Sequence, residues 1–304
     1  DTEMRGAGFS LSRDAEVGIS ASGGGDRSMI REWIDNDESA GMYAYGWIID
    51  ATTREVVWEM SRDNTRGRRD RRVAEESLHL KKGAYEVYYA AWGYIRSSGL
   101  SYSSANIDRR KPDRRGRNTF SIFGEDFEDM RDEFMERAKS EWGIEVDIDG
   151  KNADGFKAFT APAPFRQTVL SVTGVGDNAT VRKTVTVTKD VPVRIYALGE
   201  GRDRDDLFDH GWLLNTETRQ RVWDMRRASV HRAGGARKNL LSDEDVTLKK
   251  GTYELVYVTD DTHSFDDWND RPPTDPYAYG VTIFLENEAD RSAVKVEDGS
   301  PSDK

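Results

Sequence analysis

The sequence predicts a mostly β protein built from two tandem, duplicated antiparallel β-sandwich domains joined by a helix-containing linker. Three observations predict it. The first is a repeated phrase: GWIIDATTREVVWEM at residues 46–60 returns as GWLLNTETRQRVWDM at 211–225, an offset of 165. On either side of it, LKKGAYEVYY at 80–89 returns as LKKGTYELVY at 248–257, and FSLSRDAEVGISASG at 9–23 as VTVTKDVPVRIYALG at 185–199. Ordered matches with small changes of offset predict a duplicated domain, not a solenoid, whose periods run about 20–50 residues. The second observation is alternation. Val185 and Val187, then Val193, Ile195 and Ala197, then Tyr253, Leu255 and Tyr257, and in the first copy Tyr85, Val87 and Tyr89 recur at every second residue. That spacing puts side chains on one face of a strand. The third is a switch to helical period in EDFEDMRDEFMERAKSEW at 125–142, where Phe127, Met130, Phe134 and Ala138 form one apolar stripe.

Taken in order, residues 1–123 form the first sandwich. Its repeated phrase reads as a hairpin: Trp47 and Ile49 on one face of the outgoing arm, DATTRE as the turn, Trp58 and Met60 on one face of the return. Residues 124–165 are the linker, an amphipathic helix whose acidic first turn complements the helix dipole, stopped at Gly143 and followed by the Pro-punctuated GFKAFTAPAPF at 155–165. Residues 166–288 form the second sandwich, opening with TVLSVTGVGDNATVRKTVTV at 168–187, a strand, a Gly-Asp-Asn turn and a strand. Residues 289–304 read as a frayed polar tail.

Composition narrows the classes of function. The 304 residues suit two domains, and 8 Trp, 12 Tyr and 11 Phe supply cores despite a charged fraction of 33%. With 45 basic against 56 acidic residues the net charge is -11, which argues against general nucleic-acid binding, since phosphate contacts need a positive footprint. The absence of Cys excludes disulfides, thiolate metal sites and Cys nucleophiles. No apolar run approaches the roughly 18–20 residues of a membrane span. The chain opens DTEMRGAGFS without Met, which suits a processed secreted protein but equally a segment cut from a longer chain.

The pattern Leu-x-x-Gly-x-Tyr-x-[Leu/Val], at Leu80–Val87 and Leu248–Leu255, resembles the strand that carries the tyrosine corner in immunoglobulin-like sandwiches. It also resembles a strand of bacterial pre-peptidase C-terminal domains. The likeness spans about ten residues per copy and lacks the Cys and nearby acidic residue of antibody domains. It implies sandwiches of immunoglobulin-like or jelly-roll type in a bacterial secreted protein, placed outside the cell, on its surface or in the periplasm.

The most distinctive unshared segment is TDDTHSFDDWNDRPPTDPYAYG at 259–280. Asp260, Asp261, Asp266, Asp267, Asp270 and Asp275 gather the hard oxygen donors that Ca²⁺ prefers. Without a recognised ligand spacing, the plainer reading is a solvated acidic loop held by Trp268 and the Pro pair; a hydrolytic site using one of these carboxylates or His263 as base is the minor alternative. DIDGKNADG at 147–155 fails as an EF-hand, with Lys151 at position five, Asn152 at six and Ala158 at twelve. SGGGDRS and TGVGDNAT do not lie between a strand and a helix and read as turns. His79, His210, His231 and His263 share no metal-ligand spacing, and neither HExxH nor GxSxG occurs. The expectation is a non-catalytic protein with no cofactor beyond Ca²⁺ at the acidic loop.

Trp47, Trp58, Trp212 and Trp223 occupy matching positions in both copies and read as core anchors, so a binding surface falls instead to the unshared Trp92, Tyr94, Trp268 and Tyr277. Charge is patterned more sharply. Arg62–Arg72, which holds Arg66, Arg68, Arg69, Arg71 and Arg72, and Asp108–Arg117, which holds Arg109, Arg110, Arg114, Arg115 and Arg117, each carry six basic and two acidic residues. Residues 259–276 carry six Asp and one Arg. Opposite patches on two halves of one chain suit head-to-tail self-association of the filament or surface-layer kind, the basic loops of the first domain meeting the acidic loop of a neighbour's second. The competing readings are contact within one molecule, solvated loops, or basic runs that bind acidic polysaccharide. The second class of function is a carbohydrate- or envelope-ligand-binding module assisted by Ca²⁺.

Overall fold

The structure, a computed structural model, describes residues 3–25, 41–91, 142–148, 155–163, 167–265 and 267–297. It is mostly β, with antiparallel sheets and two compact units. Unit 1 takes in Glu3–Ile48 and Val56–Ala161; unit 2 takes in Ile49–Glu55 and Pro162–Lys304. Among the described residues no helix is long and apolar enough to cross a membrane. The segment expected to be helical, 125–142, lies outside the described residues except for Trp142.

In unit 1 the strands are β1 (Glu3–Leu11), β2 (Ala15–Gly25), β3 (Met42–Asp50, of which Ile49 and Asp50 count with unit 2), β4 (Val56–Glu59), β5 (Arg66–Leu80), β6 (Gly83–Ala91), β7 (Gly143–Ile148) and β8 (Phe156–Phe159). They form one sheet in the order β5-β2-β3-β6-β1-β8, with β4 paired to β3 and β7 to β2. Strand β2 shows why: Ala15, Val17, Ile19 and Ala21 are buried while Glu16 and Ser20 face solvent, the period-two pattern of a sheet with one covered face. Strand β3 departs from the expected alternation, since Met42 to Ile49 are all buried. Both of its faces are covered, and Trp47 packs on Tyr45 and Tyr88 at ring separations of 5.3 and 5.5 Å.

Two sequence expectations are corrected here. The stretch read as a linker supplies β7, which pairs with Val17–Ser22 of β2, and β8, which pairs with Gly8–Leu11 of β1. A strand offers hydrogen-bonding groups on both edges, and these short segments satisfy edges that would otherwise stand open. The basic run Arg66–Arg72 is part of the 15-residue strand β5, paired with β2, and not a loop. It lies at the end of the sheet order, where charge blunts an edge against pairing with another chain.

In unit 2 the strands are β9 (Thr168–Thr173), β10 (Thr180–Val187), β11 (Val191–Glu200), β12 (His210–Asn215), β13 (Arg221–Asp224), β14 (His231–Arg232), β15 (Asn239–Leu248), β16 (Gly251–Val258), β17 (Gly280–Leu285) and β18 (Val294–Glu297). One five-stranded sheet runs β13-β12-β16-β10-β18 and the other β14-β15-β11-β17-β9. Val185, Leu213 and Leu255 from the first and Val193, Ile195 and Ile283 from the second are all 0% exposed and belong to one apolar cluster. Each such side chain contributes about 1.5–3 kcal/mol on burial. The residues read as a frayed tail include β18, which pairs with Thr184–Val187.

Local bonds recur between the matched segments. Tyr85 Oη donates to Lys81 O at 2.8 Å and Tyr253 Oη to Lys249 O at 2.7 Å. Met60 N donates to Gly46 O at 2.8 Å and Met225 N to Gly211 O at 3.1 Å. Asp50 Oδ1 accepts from Thr52 N and Thr53 N in one turn, and Asn215 Oδ1 from Glu217 N and Thr218 N in the other. Arg54 and Arg219 then close these turns at φ 68° and 59°. That left-handed conformation is unfavourable for a residue with a Cβ, so each turn holds its arginine in an unusual pose.

Candidate functional site

The site is built from the DATTRE turn upward. Arg54 N donates to Asp50 O, Asp50 N donates to Glu55 O, and the Asp50 carboxylate caps the two threonines between. The turn residues Ile49–Glu55 belong in space to unit 2. There the Arg54 guanidinium meets Asp275 as a fork: Nε donates to Oδ2 at 2.7 Å and Nη2 to Oδ1 at 2.5 Å. Both side chains are 1% exposed. Nη1 turns back to Ala51 O at 3.2 Å.

Asp275 is placed by the Pro-rich end of the acidic segment, where a single 3-10 turn, Pro276–Ala278, starts beside it. Tyr196 of β11 lines the same spot; burial, and then the charge of Asp275, raise its phenol well above the usual range, while Arg54 opposes the shift. Arg194, locked to Asp243 by two bonds of 2.7 Å, donates to Thr53 O at 3.3 Å. The turn is therefore gripped at two points, one of them a bidentate charge pair out of water. Such a pair is a weak source of net stability but a strong source of specificity, because a buried charge tolerates no other partner.

The other acids of the segment do not converge. Asp270 is buried and accepts from Arg271 N, Asp261 and Asp267 are exposed, and Asp266 lies outside the described residues. Among the described residues no three acids of this segment gather at one point, so nothing supports the Ca²⁺ alternative for the segment as a whole. The segment folds around a cluster of Tyr196, Leu198, Ala233, Trp268, Ala278 and Tyr279, which disperses its carboxylates. Trp268, expected on a binding surface, is 2% exposed, edge-on to Tyr279 at 4.9 Å and to His263 at 5.1 Å. Tyr277 is half-buried against Phe265 at 5.7 Å.

His263 is 0% exposed, with Nε2 2.6 Å from Asn239 Oδ1 and Nδ1 3.1 Å from Asn269 Oδ1. Burial, followed by the charge of Lys238, pushes its pKa down to about 3. The ring named as a candidate base is thus enclosed between two side-chain amides and not presented at the surface. Trp47, Trp58 and Trp223 are buried, as core anchors should be, whereas Trp212 is half-buried with the Arg221 guanidinium 4.3 Å above its ring.

Of the basic residues, Arg66 pairs with Glu75 on the surface, Arg68 and Arg71 are exposed, and Arg72 bonds Gly25 O and Thr65 Oγ1. The Arg69 side chain, Trp92, Tyr94, Arg109, Arg110, Arg114, Arg115 and Arg117 lie outside the described residues. Sequence reasoning missed Arg54. Its signal was present as the one charged residue that the two turns share at matching positions, Arg54 and Arg219.

A second group of acids is also assembled. Among the described residues, Glu200, Asp209 and Asp260 each place a carboxylate oxygen within 4.8 Å of the others, the only such set that can hold a metal ion. No protein-family model matches the chain, and no curated protein matches it in sequence.

Proposed function

We propose that the protein is a non-catalytic, self-assembling module of two tandem, duplicated β-sandwiches, in which arginine-tipped hairpins dock on acidic segments. The matched turns, the matched tyrosine bonds and the two five-stranded sheets around one core support the architecture. The tyrosine bonds are of the kind a tyrosine corner makes, which supports the immunoglobulin-like resemblance. A location at the cell exterior belongs to the same reading.

One observation carries the assembly. The tip arginine Arg54 is buried as a fork on Asp275 of the acidic segment, and Arg219 holds the same turn conformation while exposed to solvent. A tip already shaped for a carboxylate is thus presented outward. The acidic segment keeps Asp261 and Asp267 exposed, so a neighbouring copy offers carboxylates on which Arg219 can dock. Docking of one copy's tip on the next copy's segment is heterologous and propagates head to tail.

Light scattering across ionic strength tests this. Wild type is expected to associate at low salt and dissociate as salt screens the contact. Arg219→Glu and the double variant Asp261→Arg with Asp267→Arg are each expected to stay monomeric, and their mixture to associate again. A wild-type chain that is monomeric at every ionic strength refutes the reading.

A further inference from the structure

We propose that Glu200, Asp209 and Asp260 form a binding site for a hard divalent cation of the Ca²⁺ class, with Asp177 at its edge. The four come from separate places in unit 2: Glu200 ends β11, Asp209 precedes β12, Asp260 follows β16, and Asp177 lies between β9 and β10. Two backbone bonds close the first pair together, Phe208 N and Asp209 N both donating to Glu200 O at 2.7 and 3.1 Å. Asn178 N donates to Asp260 O at 2.5 Å, tying the Asp177 loop to Asp260.

Acidic groups cluster on many proteins without a ligand. What separates this cluster is burial with an oxygen left over. Glu200 is 3% exposed; its Oε1 accepts from Lys238 Nζ at 2.7 Å, and its Oε2 is buried with no hydrogen-bond partner. Asp177 Oδ1 is buried and without a partner in the same way. Native proteins rarely leave such atoms, and a carboxylate oxygen out of water needs a donor or a metal. Asp209 is 0% exposed, and its two oxygens accept from Asp260 N at 2.8 Å and Tyr279 Oη at 2.7 Å. Outer hydrogen bonds of this kind orient a ligating carboxylate and leave its remaining lone pairs aimed elsewhere.

Charge points the same way. Four carboxylates face one ammonium, that of Lys238. Burial first, and the neighbouring carboxylates with it, push Asp209 up to about 7 and raise Glu200 above the usual carboxylate range. One ammonium leaves the folded site short of positive charge. A single proton serves one oxygen pair, whereas a cation meets an oxygen from each acid. Oxygen-only donors on irregular loops suit Ca²⁺, which takes 6–8 ligands at variable geometry, better than Mg²⁺ with its strict octahedron. The proposal is independent of the assembly reading, because it involves neither Arg219 nor the exposed acids.

The test uses the full chain freed of metal with EDTA, titrated with Ca²⁺ in a calorimeter and with Tb³⁺ in a fluorimeter. Tyr279, whose hydroxyl touches Asp209, is placed to sensitise Tb³⁺ emission. The expected result is saturable emission that Ca²⁺ displaces, a Tm raised by excess Ca²⁺, and at least tenfold weaker binding in Glu200→Gln. Asp260→Asn, at a half-buried position, gives a second reading should the first variant fail to fold. Absence of heat and emission with an unchanged Tm overturns the proposal. So does wild-type affinity in the variants, which places the ion elsewhere, or a Glu200→Gln chain that gains stability while Ca²⁺ leaves the wild type unaffected, which assigns the site to a shared proton.

Discussion

Replacing Arg54 by Ala tests whether the tip is held as the geometry requires. The fork to Asp275 is made by two side chains each 1% exposed. Removing the guanidinium leaves the carboxylate buried beside Tyr196 without the cation that forks onto it. Breaking one partner of such a pair costs about 3–5 kcal/mol, a large part of the 5–15 kcal/mol that stabilises a typical domain. With a urea slope of about 2 kcal/mol/M the midpoint falls by about 2 M. Arg219→Ala is the matched control. It alters the same left-handed position at φ 59° on an exposed tip, so any backbone effect is shared, and the change stays within about 0.5 kcal/mol. Arg54→Met combined with Asp275→Leu is expected to recover most of the loss, because a buried ion pair is close to neutral against a packed apolar replacement. Equilibrium urea unfolding of the four chains provides the measurement. A loss below about 1 kcal/mol in Arg54→Ala would show the pair to be solvated and refute the reasoning.

Three further predictions concern unit 2. Tyr253→Phe removes the bond to Lys249 O and is expected to lower stability by about 1 kcal/mol, read from the urea midpoint. Gly199→Ala places a Cβ 2.1 Å from Asp209 O, a backbone atom, and the shift this forces is expected to cost about 1–3 kcal/mol by thermal melting. His263 faces Lys238, Asn239, Asn269 and Trp268, and its folded pKa of about 3 lies below the 6.5 of an ordinary imidazole. The unfolded chain therefore binds the extra proton first, so the stability present above pH 6.5 is lost as pH falls toward 3, at about 1.4 kcal/mol per pH unit. His263→Gln is expected to flatten that slope in urea titrations between those limits; an unchanged slope refutes the assignment.

Local signals in the sequence carried further than distant ones. The alternation at Val193, Ile195 and Ala197, the DATTRE turn and the LKKG-x-Tyr strand all act over a few residues, and each formed the element it predicts. Strand β7 was legible in principle, since Ile144, Val146 and Ile148 alternate, but its Asp-Gly sequel resembled a turn and drew it into the linker. The two sites were harder for a physical reason. Arg54 and Asp275 lie 221 residues apart, and nothing local in either segment records the other. Glu200 sits at the end of an apolar strand, and Asp209 lies in a loop with no other sign of function. Asp260 alone of the acidic segment reaches them, because its strand β16 runs beside β12, so sheet order and not sequence distance assembles the group.

The comparison of Arg54 with Arg219 bears on why an arginine occupies this tip. An apolar residue there would pack well on a receptor, yet an unengaged tip would then be an exposed apolar point that associates without selection. Arginine behaves differently in the two states. Exposed, as Arg219 is, it is hydrated and costs nothing. Buried, as Arg54 is, it must find a carboxylate in fork geometry, because any other environment leaves a desolvated charge. Discrimination against wrong partners then comes from the penalty of mispairing more than from the affinity of the right pair. The same turn can thus serve as a fastened element in one place and as a soluble, selective contact in another, with only the presence of a matching acid deciding between them.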